Sequence, residues 1–255
     1  MSENLVYGRH PVLALLREHS RRADEVAVLT GAGGPLGEVV ALARRAGVKV
    51  SYRTRDQLDA IAGSPHHQGV VARVASAEYL DLSALQEIPK ERGETPFFLA
   101  LDQVQDPRNL GALLRTADAF GVHGVIVPKH RQVGVTASAA RTAMGAVESV
   151  PVARETNLVA ALEALKRSGI WVYGGVIHGG VPVWGTDLSG PLCLVLGGEG
   201  EGLRPLVAGA CDVLVSIPMA GRVGSLNVSA AGAVLCYEIA RQRAAGTKRL
   251  DFPIQ

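Results

Sequence analysis

Asn109 and Arg115 stand six residues apart in the run Asp106-Pro107-Arg108-Asn109-Leu110-Gly111-Ala112-Leu113-Leu114-Arg115. An amide can orient hydrogen-bonded groups, and a guanidinium can hold a phosphate or stabilise a developing oxyanion. Neither belongs in an apolar core without a polar partner. A second segment, Leu196-Gly197-Gly198-Glu199-Gly200-Glu201-Gly202-Leu203, follows a very apolar run. Its glycines, lacking Cβ, let backbone lie close against a flat ligand such as adenine. A third, from Ile217-Pro218-Met219 to Ser225-Leu226-Asn227-Val228-Ser229, places Ser225 and Asn227 at the mouth of a long helical pattern. Asn109, Arg115, Glu199, Ser225 and Asn227 are thus polar groups delivered by strand ends, and none is a typical core residue. Ser225 has no paired histidine, and the chain has no CxxC or HExxH. What the set offers is positioning and electrostatics, suited to moving a group onto a weakly acidic hydroxyl.

The elements that must position these groups follow from periodicity. Residues 97–101, continuing toward Val104, predict a strand, and 110–120 a helix with Leu110, Leu113, Leu114, Ala117 and Phe120 on one side. That reading puts Arg115 on or near the first turns of the helix, close to the carboxyl end of the strand, where open parallel sheets bind ligands. Further strands are expected at 124–127, 150–153, 170–176, 192–196 and 213–217, and helices at 137–144, 158–167 and 228–243, the last with Asn227 as N-cap. Residues 1–75 alternate in the same way, with helices at 11–17, 36–46 and 55–62 and strands at 25–29, 48–52 and 69–75. Between them, 76–95 loses the pattern, and the charged stretch Lys90 to Glu94 lies between Pro89 and Pro96. The expected organisation is a small α/β domain over 1–75, a linker over 76–95 and a larger α/β domain with a mostly parallel sheet over 96–255.

Composition agrees with that class. Hydrophobic residues make up 47% of the 255 but aromatics only 4%, so the core must be Val, Leu, Ile and Ala, as in parallel sheets covered by helices. No apolar run is long enough to span a bilayer, and Met1-Ser2-Glu3-Asn4 lacks the pattern of a signal peptide, which leads to an expectation of a cytoplasmic protein. Cys193, Cys211 and Cys236 read as reduced core thiols, and the seven histidines show no metal-ligand spacing, so no metal is expected. The net charge of +2 neither proves nor opposes a nucleic-acid partner. Local basic clusters matter more: Arg17, Arg21 and Arg22; Arg44, Arg45, Lys49, Arg53 and Arg55; Lys129 with Arg131. Gly31-Ala32-Gly33-Gly34-Pro35-Leu36-Gly37 has the context of a dinucleotide loop. However, its third glycine falls one place late, and Pro35 removes a phosphate-holding donor, so an ordinary βα loop is the better reading. Gly174-Gly175 and Gly179-Gly180 bracket a further glycine-rich candidate, for which a turn is the better reading.

The three polar segments together resemble the SpoU (TrmH) branch of the SPOUT methyltransferases. Asn109 with Arg115 matches the first motif, the apolar strand and glycine loop with Glu199 the second, and Ile217-Pro218-Met219 with Ser225 to Ser229 the third. Tyr7-Gly8-Arg9-His10-Pro11-Val12 and His67-Gln68-Gly69-Val70-Val71-Ala72 resemble the substrate-binding domain of members that act on ribosomal RNA, so the resemblance covers nearly the whole chain. It implies S-adenosyl-L-methionine as cofactor, with Gly197, Gly198, Ile217, Met219 and Leu226 at the contact positions. It also implies a trefoil knot in the C-terminal part, a ribosomal-protein L30e-like N-terminal domain and a homodimer. The implied reaction is 2′-O-methylation of a guanosine in 23S ribosomal RNA. Arg115, Asn109, Glu199, Ser225 and Asn227 would be catalytic, and Arg9, His10, His67 and Gln68 would bind substrate.

The family assigns the arginine as base, yet a guanidinium stays protonated under ordinary conditions. Arg115 therefore acts as base only if its site strongly depresses its pKa; otherwise it stabilises the alkoxide or clamps the adjacent phosphate. Two other readings share these residues: methylation of transfer RNA, and a non-catalytic RNA-binding module. The size of the N-terminal domain favours ribosomal RNA, and the joint presence of Arg115, Glu199, Ser225 and Asn227 favours an enzyme.

Overall fold

The structure, a computed structural model, describes residues 5–20, 23–31, 33–74, 79–128, 135, 137–200 and 202–246. Arg21, Arg22, Lys129, Arg131 and Glu201, singled out from the sequence, lie outside those residues. In chain order the elements begin with β1 (Leu5–Tyr7), α1 (Arg9–Glu18), β2 (Ala23–Leu29), α2 (Pro35–Arg45), β3 (Lys49–Arg53), α3 (Arg55–Ala62) and β4 (Val70–Val74). They continue with α4 (Leu82–Arg92), β5 (Phe97–Asp102), α5 (Pro107–Ala119), β6 (Gly124–Pro128), α6 (Ala137–Ala143), α7 (Ala146–Ser149), β7 (Val152–Glu155) and α8 (Leu158–Arg167). The last are β8 (Trp171–Gly175), β9 (Val181–Pro182), β10 (Leu192–Gly197), α9 (Pro205–Ala210), β11 (Val213–Ser216) and α10 (Val228–Gly246). Packing divides the chain into two units, one of 1–78 with 110–115 and 134–149, the other of 79–109, 116–133 and 150–255.

The first unit is built on a four-stranded sheet in the order β1-β4-β2-β3, antiparallel except for the β2–β3 pair. Strand alternation sets its two faces. Val26 and Val28 of β2 pack with Val12, Leu15 and Val39 of α1 and α2, while Ala27 turns the other way to Leu58 and Val71. Pro35 opens α2 at its first turn, and α3 starts with a reciprocal capping box between Thr54 and Gln57. The same unit holds α6 and α7. Arg141 lies 4.3 Å over the Tyr7 ring, and a side chain on Gly111 of α5 would collide with the Ala139 carbonyl oxygen. The glycines of the 31–37 loop have open space where a Cβ would stand, consistent with an ordinary loop.

The second unit carries a seven-stranded sheet, β7-β6-β5-β10-β8-β11-β9, with every pair parallel. Phe97 to Asp102 and Leu192 to Gly197 are buried along their whole length, as the two-sided burial of central parallel strands requires. Leu158, Ala161, Leu162 and Leu165 of α8 cover one face. After β5 the chain moves outward through β6 and β7, returns as β8, and then threads β10 between β5 and β8. The direction of travel reverses there, which opens a crevice at the carboxyl ends of these strands. Cys193 and Cys236 are buried and Cys211 partly so, and none is paired with another. Burial pushes the thiols of Cys211 and Cys236 up to about 12.

Three sequence expectations are corrected. Within the expected linker 76–95, residues 82–92 form α4, capped by Asp81, whose carboxylate accepts from the Ala84 amide at 2.8 Å, with Leu85 fully buried. Pro89 sits inside that helix and disguised it, since a proline usually marks a boundary. The strand expected at 150–153 begins at Val152, just after Pro151, which has no N–H to give a ladder. Gly174 and Gly175 end β8, within the strand expected at 170–176, and a Cβ on Gly174 would press on Cys211, Leu203 and Leu214 at 2.8 Å. Arg115 is the ninth residue of α5, in its third turn rather than its first.

Candidate active site

The carboxyl ends of β8, β10 and β11 and the start of α10 enclose an open cleft of about 760 Å³, mouth included. Its walls bring together Gly197, Gly198, Glu199, Ile217, Met219, Ser225 and Leu226, seven of the ten residues expected for catalysis or cofactor binding. Gly175, Val176 and Ile177 complete the wall. Sequence reasoning missed these three, although glycines at the end of an apolar strand were the available signal. Among the described residues the lining is apolar side chain and glycine backbone with the Ser225 hydroxyl and the Glu199 carboxylate, the composition of a pocket for a small organic ligand.

Glycine is required where the loops meet. A Cβ on Gly197 would fall on the Gly202 backbone, and one on Gly198 would overlap the Gln103 carbonyl oxygen. Gly198 and Gly202 bridge each other, the Gly202 amide donating to the Gly198 oxygen at 3.2 Å. The far end of this loop is tied to β5 by Asp102, which is fully buried. Its carboxylate accepts from the Arg204 amide at 2.9 Å and from Arg204 Nε at 2.7 Å. Gln103, the next residue, has φ of 64°, so the chain turns sharply out of β5 toward α5.

Asn109 is delivered by the first turn of α5. Asp106 caps that helix, accepting from the Arg108 amide at 2.8 Å, and Pro107 fixes its first position. The Arg108 side chain, bonded to the same carboxylate, holds Asp106 below its usual range. The Asn109 amide Nδ2 donates to Glu199 Oε1, joining residues 90 positions apart in sequence. Asn109 is 9% exposed while Glu199 is exposed, so the pair is shielded from water on the Asn109 side alone. Ser225 is exposed at the cleft wall. Asn227 serves α10 as the expected cap, its Oδ1 accepting from the Ser229 amide at 2.8 Å and the Ser229 hydroxyl at 2.6 Å. Arg115 donates Nη1 to the Met144 sulfur at 2.9 Å. Thioether sulfur is a weak acceptor, so this contact is readily exchanged for a better one.

The four residues expected to bind substrate divide. His10 is exposed on the first turn of α1 and Arg9 is half-exposed, 3.6 Å from Glu38. His67 departs from the expectation: it is 2% exposed, its Nδ1 accepts from the Gly69 amide at 2.9 Å, and its Nε2 meets Asp59 at 2.9 Å. With both ring nitrogens used internally, it orders its loop rather than presenting itself to a ligand. The Gln68 side chain accepts from the Arg9 amide at 2.9 Å across the same loop, at a positive φ of 52°.

The family follows from this arrangement and from comparison. Residues 96–237 match the model of the SpoU rRNA Methylase family, and residues 5–80 match that of RNA 2'-O ribose methyltransferase substrate binding. The chain belongs to the SpoU rRNA methylase family. Among individual relatives, it is 44% identical to the 23S rRNA (guanosine-2'-O-)-methyltransferase RlmB of Yersinia pestis, with 95% of this chain and 98% of that protein covered. It is 42% identical to YacO of Bacillus subtilis, by name a TrmH family tRNA/rRNA methyltransferase, over 93% of this chain and 95% of that one. The crystal structure of the SpoU methyltransferase AviRb from Streptomyces viridochromogenes in complex with the cofactor AdoMet superimposes with a TM-score of 0.78 at 28% identity. That match covers 95% of this chain and 91% of AviRb.

Proposed function

We propose that this protein transfers the methyl group of S-adenosylmethionine to the 2′-hydroxyl of a guanosine in 23S ribosomal RNA. The observation that carries the reading is the glycine-walled cleft with the Asn109–Glu199 pair at its rim, in a chain of the SpoU family. The cleft suits the cofactor on its own terms: backbone and apolar side chains form most of its wall, and the loops approach too closely to admit a Cβ at Gly197. Gly197, Gly198, Ile217, Met219 and Leu226 would hold it, and when bound it supplies an electrophilic methyl group.

The remaining work belongs to the chain's own residues. Asn109 holds the Glu199 carboxylate in one orientation, which costs nothing further when substrate arrives. The exposed Ser225 hydroxyl can exchange hydrogen bonds with a ribose hydroxyl at the cleft wall. Asn227 sets the start of α10 and so the position of the 224–226 wall. Arg115, whose Nη1 meets the Met144 sulfur, is assigned to stabilise the ribose oxyanion or clamp its phosphate. The N-terminal unit, with Arg9 and His10 on its surface, is assigned to RNA binding. A homodimer, the knotted C-terminal part and a cytoplasmic site of action complete the proposal.

Arg115→Ala tests it. With an in vitro 23S ribosomal RNA transcript and tritiated cofactor, methyl transfer should fall by about 100-fold or more, as for the loss of one oxyanion-stabilising donor. Cofactor affinity by calorimetry should stay within about threefold. Substantial residual turnover removes Arg115 from the mechanism, and preferential methylation of a transfer-RNA transcript replaces the ribosomal substrate. Deleting 1–75 is a poor alternative, because Arg141 and Gly145 pack on Tyr7 and Ala14 of that segment.

A further inference from the structure

We infer that the outer edge of β3 is a seat for single-stranded RNA, with the Tyr52 ring stacking an unpaired base and the surrounding cations holding the flanking phosphates. This inference rests on the ribosomal RNA reading above and adds to it a defined surface. β3 is the outermost strand of the four-stranded sheet, bonded to β2 alone among the described strands. From 44 to 55 the chain carries five cations, Arg44, Arg45, Lys49, Arg53 and Arg55, and no carboxylate. Strand alternation distributes them: Tyr52 lies on the same face as Val50 and beside α2, while Lys49 and Arg53 lie on the opposite face. The edge therefore presents positive charge on both sides of its backbone.

Tyr52 sits amid that charge and is 47% exposed, in a chain whose aromatics are only 4% of residues. Its hydroxyl accepts from Arg44 Nη2 at 3.4 Å and its carbonyl from Arg53 Nη1 at 3.0 Å, so the side chain is steadied while much of its surface stays open. On the opposite face of the sheet, Glu25, Ala27, Arg53, Ile61, Val71 and Arg73 line a shallow hollow. Nearby carboxylates cancel the field only in part: Glu25 offsets Arg53 at 3.6 Å, Asp59 is taken by His67, and Asp56 lies beyond Arg55, which leaves Arg44, Arg45, Lys49 and Arg55 as the exposed cations of the stretch. An exposed ring flanked by arginines, with no apolar patch around it, suits a nucleobase and its phosphates.

The test uses the full-length protein and an in vitro 23S ribosomal RNA transcript. Tyr52→Ala should weaken binding about 5- to 100-fold, the range of one lost base stack. KM for RNA should rise, with kcat, S-adenosylmethionine affinity and melting temperature unchanged. Tyr52→Phe, which keeps the ring, should restore binding to within about twofold. Replacing Lys49 and Arg55 together with alanine should lower the slope of log affinity against log salt by about 1.4, near 0.7 for each phosphate released. Parental RNA affinity in Tyr52→Ala overturns the inference while leaving the function intact. A parent protein that neither binds nor methylates the transcript overturns the functional reading and this inference with it.

Discussion

Asp102→Asn should loosen the cleft from behind, without touching any residue that lines it. Asp102 is the last residue of β5, fully buried, with one oxygen on the Arg204 amide and the other on the Arg204 guanidinium. Asparagine keeps the shape but turns one acceptor into an N–H donor that faces another donor. Loss of one hydrogen bond to a charged group costs about 1.5–3 kcal/mol. Arg204 is 41% exposed and can turn to water, so the full penalty of a stranded buried ion does not apply, and about 2 kcal/mol is expected. At roughly 2–4 °C per kcal/mol for a protein of this size, the melting transition should fall by about 4–8 °C. Arg204 terminates the loop that carries Gly198 and Glu199, so S-adenosylmethionine affinity should fall in parallel, by about tenfold or more. Differential scanning fluorimetry and cofactor calorimetry on the same preparation check both. A transition within about 1 °C of the parent, with unchanged affinity, would refute the claim that this buried pair holds the loop.

Gly197→Ala places a Cβ on the Gly202 backbone, which cannot rotate away, so overpacking of about 1–3 kcal/mol and loss of measurable cofactor binding are expected. Retained affinity in a titration would show that the loop has room. On α10, Arg241 first and Gln242 next hold the Glu238 carboxyl down at about 2 against an ordinary 4.5. A carboxylate depressed in the folded state stabilises above its unfolded pKa, and that contribution fades as pH falls from 4.5 toward 2. Glu238→Gln should therefore melt lower at pH 6, by on the order of 1 kcal/mol after solvent screening, and converge with the parent near pH 2.5. Parallel melting curves across that window would dismiss the coupling.

How much could be read in the sequence depended on distance along the chain. β5 and β10 were legible because continuous apolar runs leave a buried parallel strand as the economical reading, and Asn227 because a cap acts within two residues. The residue types of the cleft were legible too, since glycine loops after apolar strands leave a local mark. The Asn109–Glu199 and Asp102–Arg204 partnerships were not, because they join positions 90 and 102 apart and neither end announces the other. Residues 82–92 hid their helix behind Pro89. His67 misled differently: the resemblance put it among the substrate-binding residues, whereas its ring is sealed inside the loop it orders.

The insertion of β10 between β5 and β8 also fixes when the cleft can come into being. Phe97 must find Leu192, and Trp171 must find the same residue from the other side, before Gly197 has any neighbours to stand among. Pairings that close such long loops are slow and come after local helices and hairpins have formed. During synthesis, residues as late as the start of α10 must leave the ribosome before the last wall of the pocket exists. A nascent chain would thus have all four strands of its first sheet, the last ending at Val74, well before it could bind the cofactor.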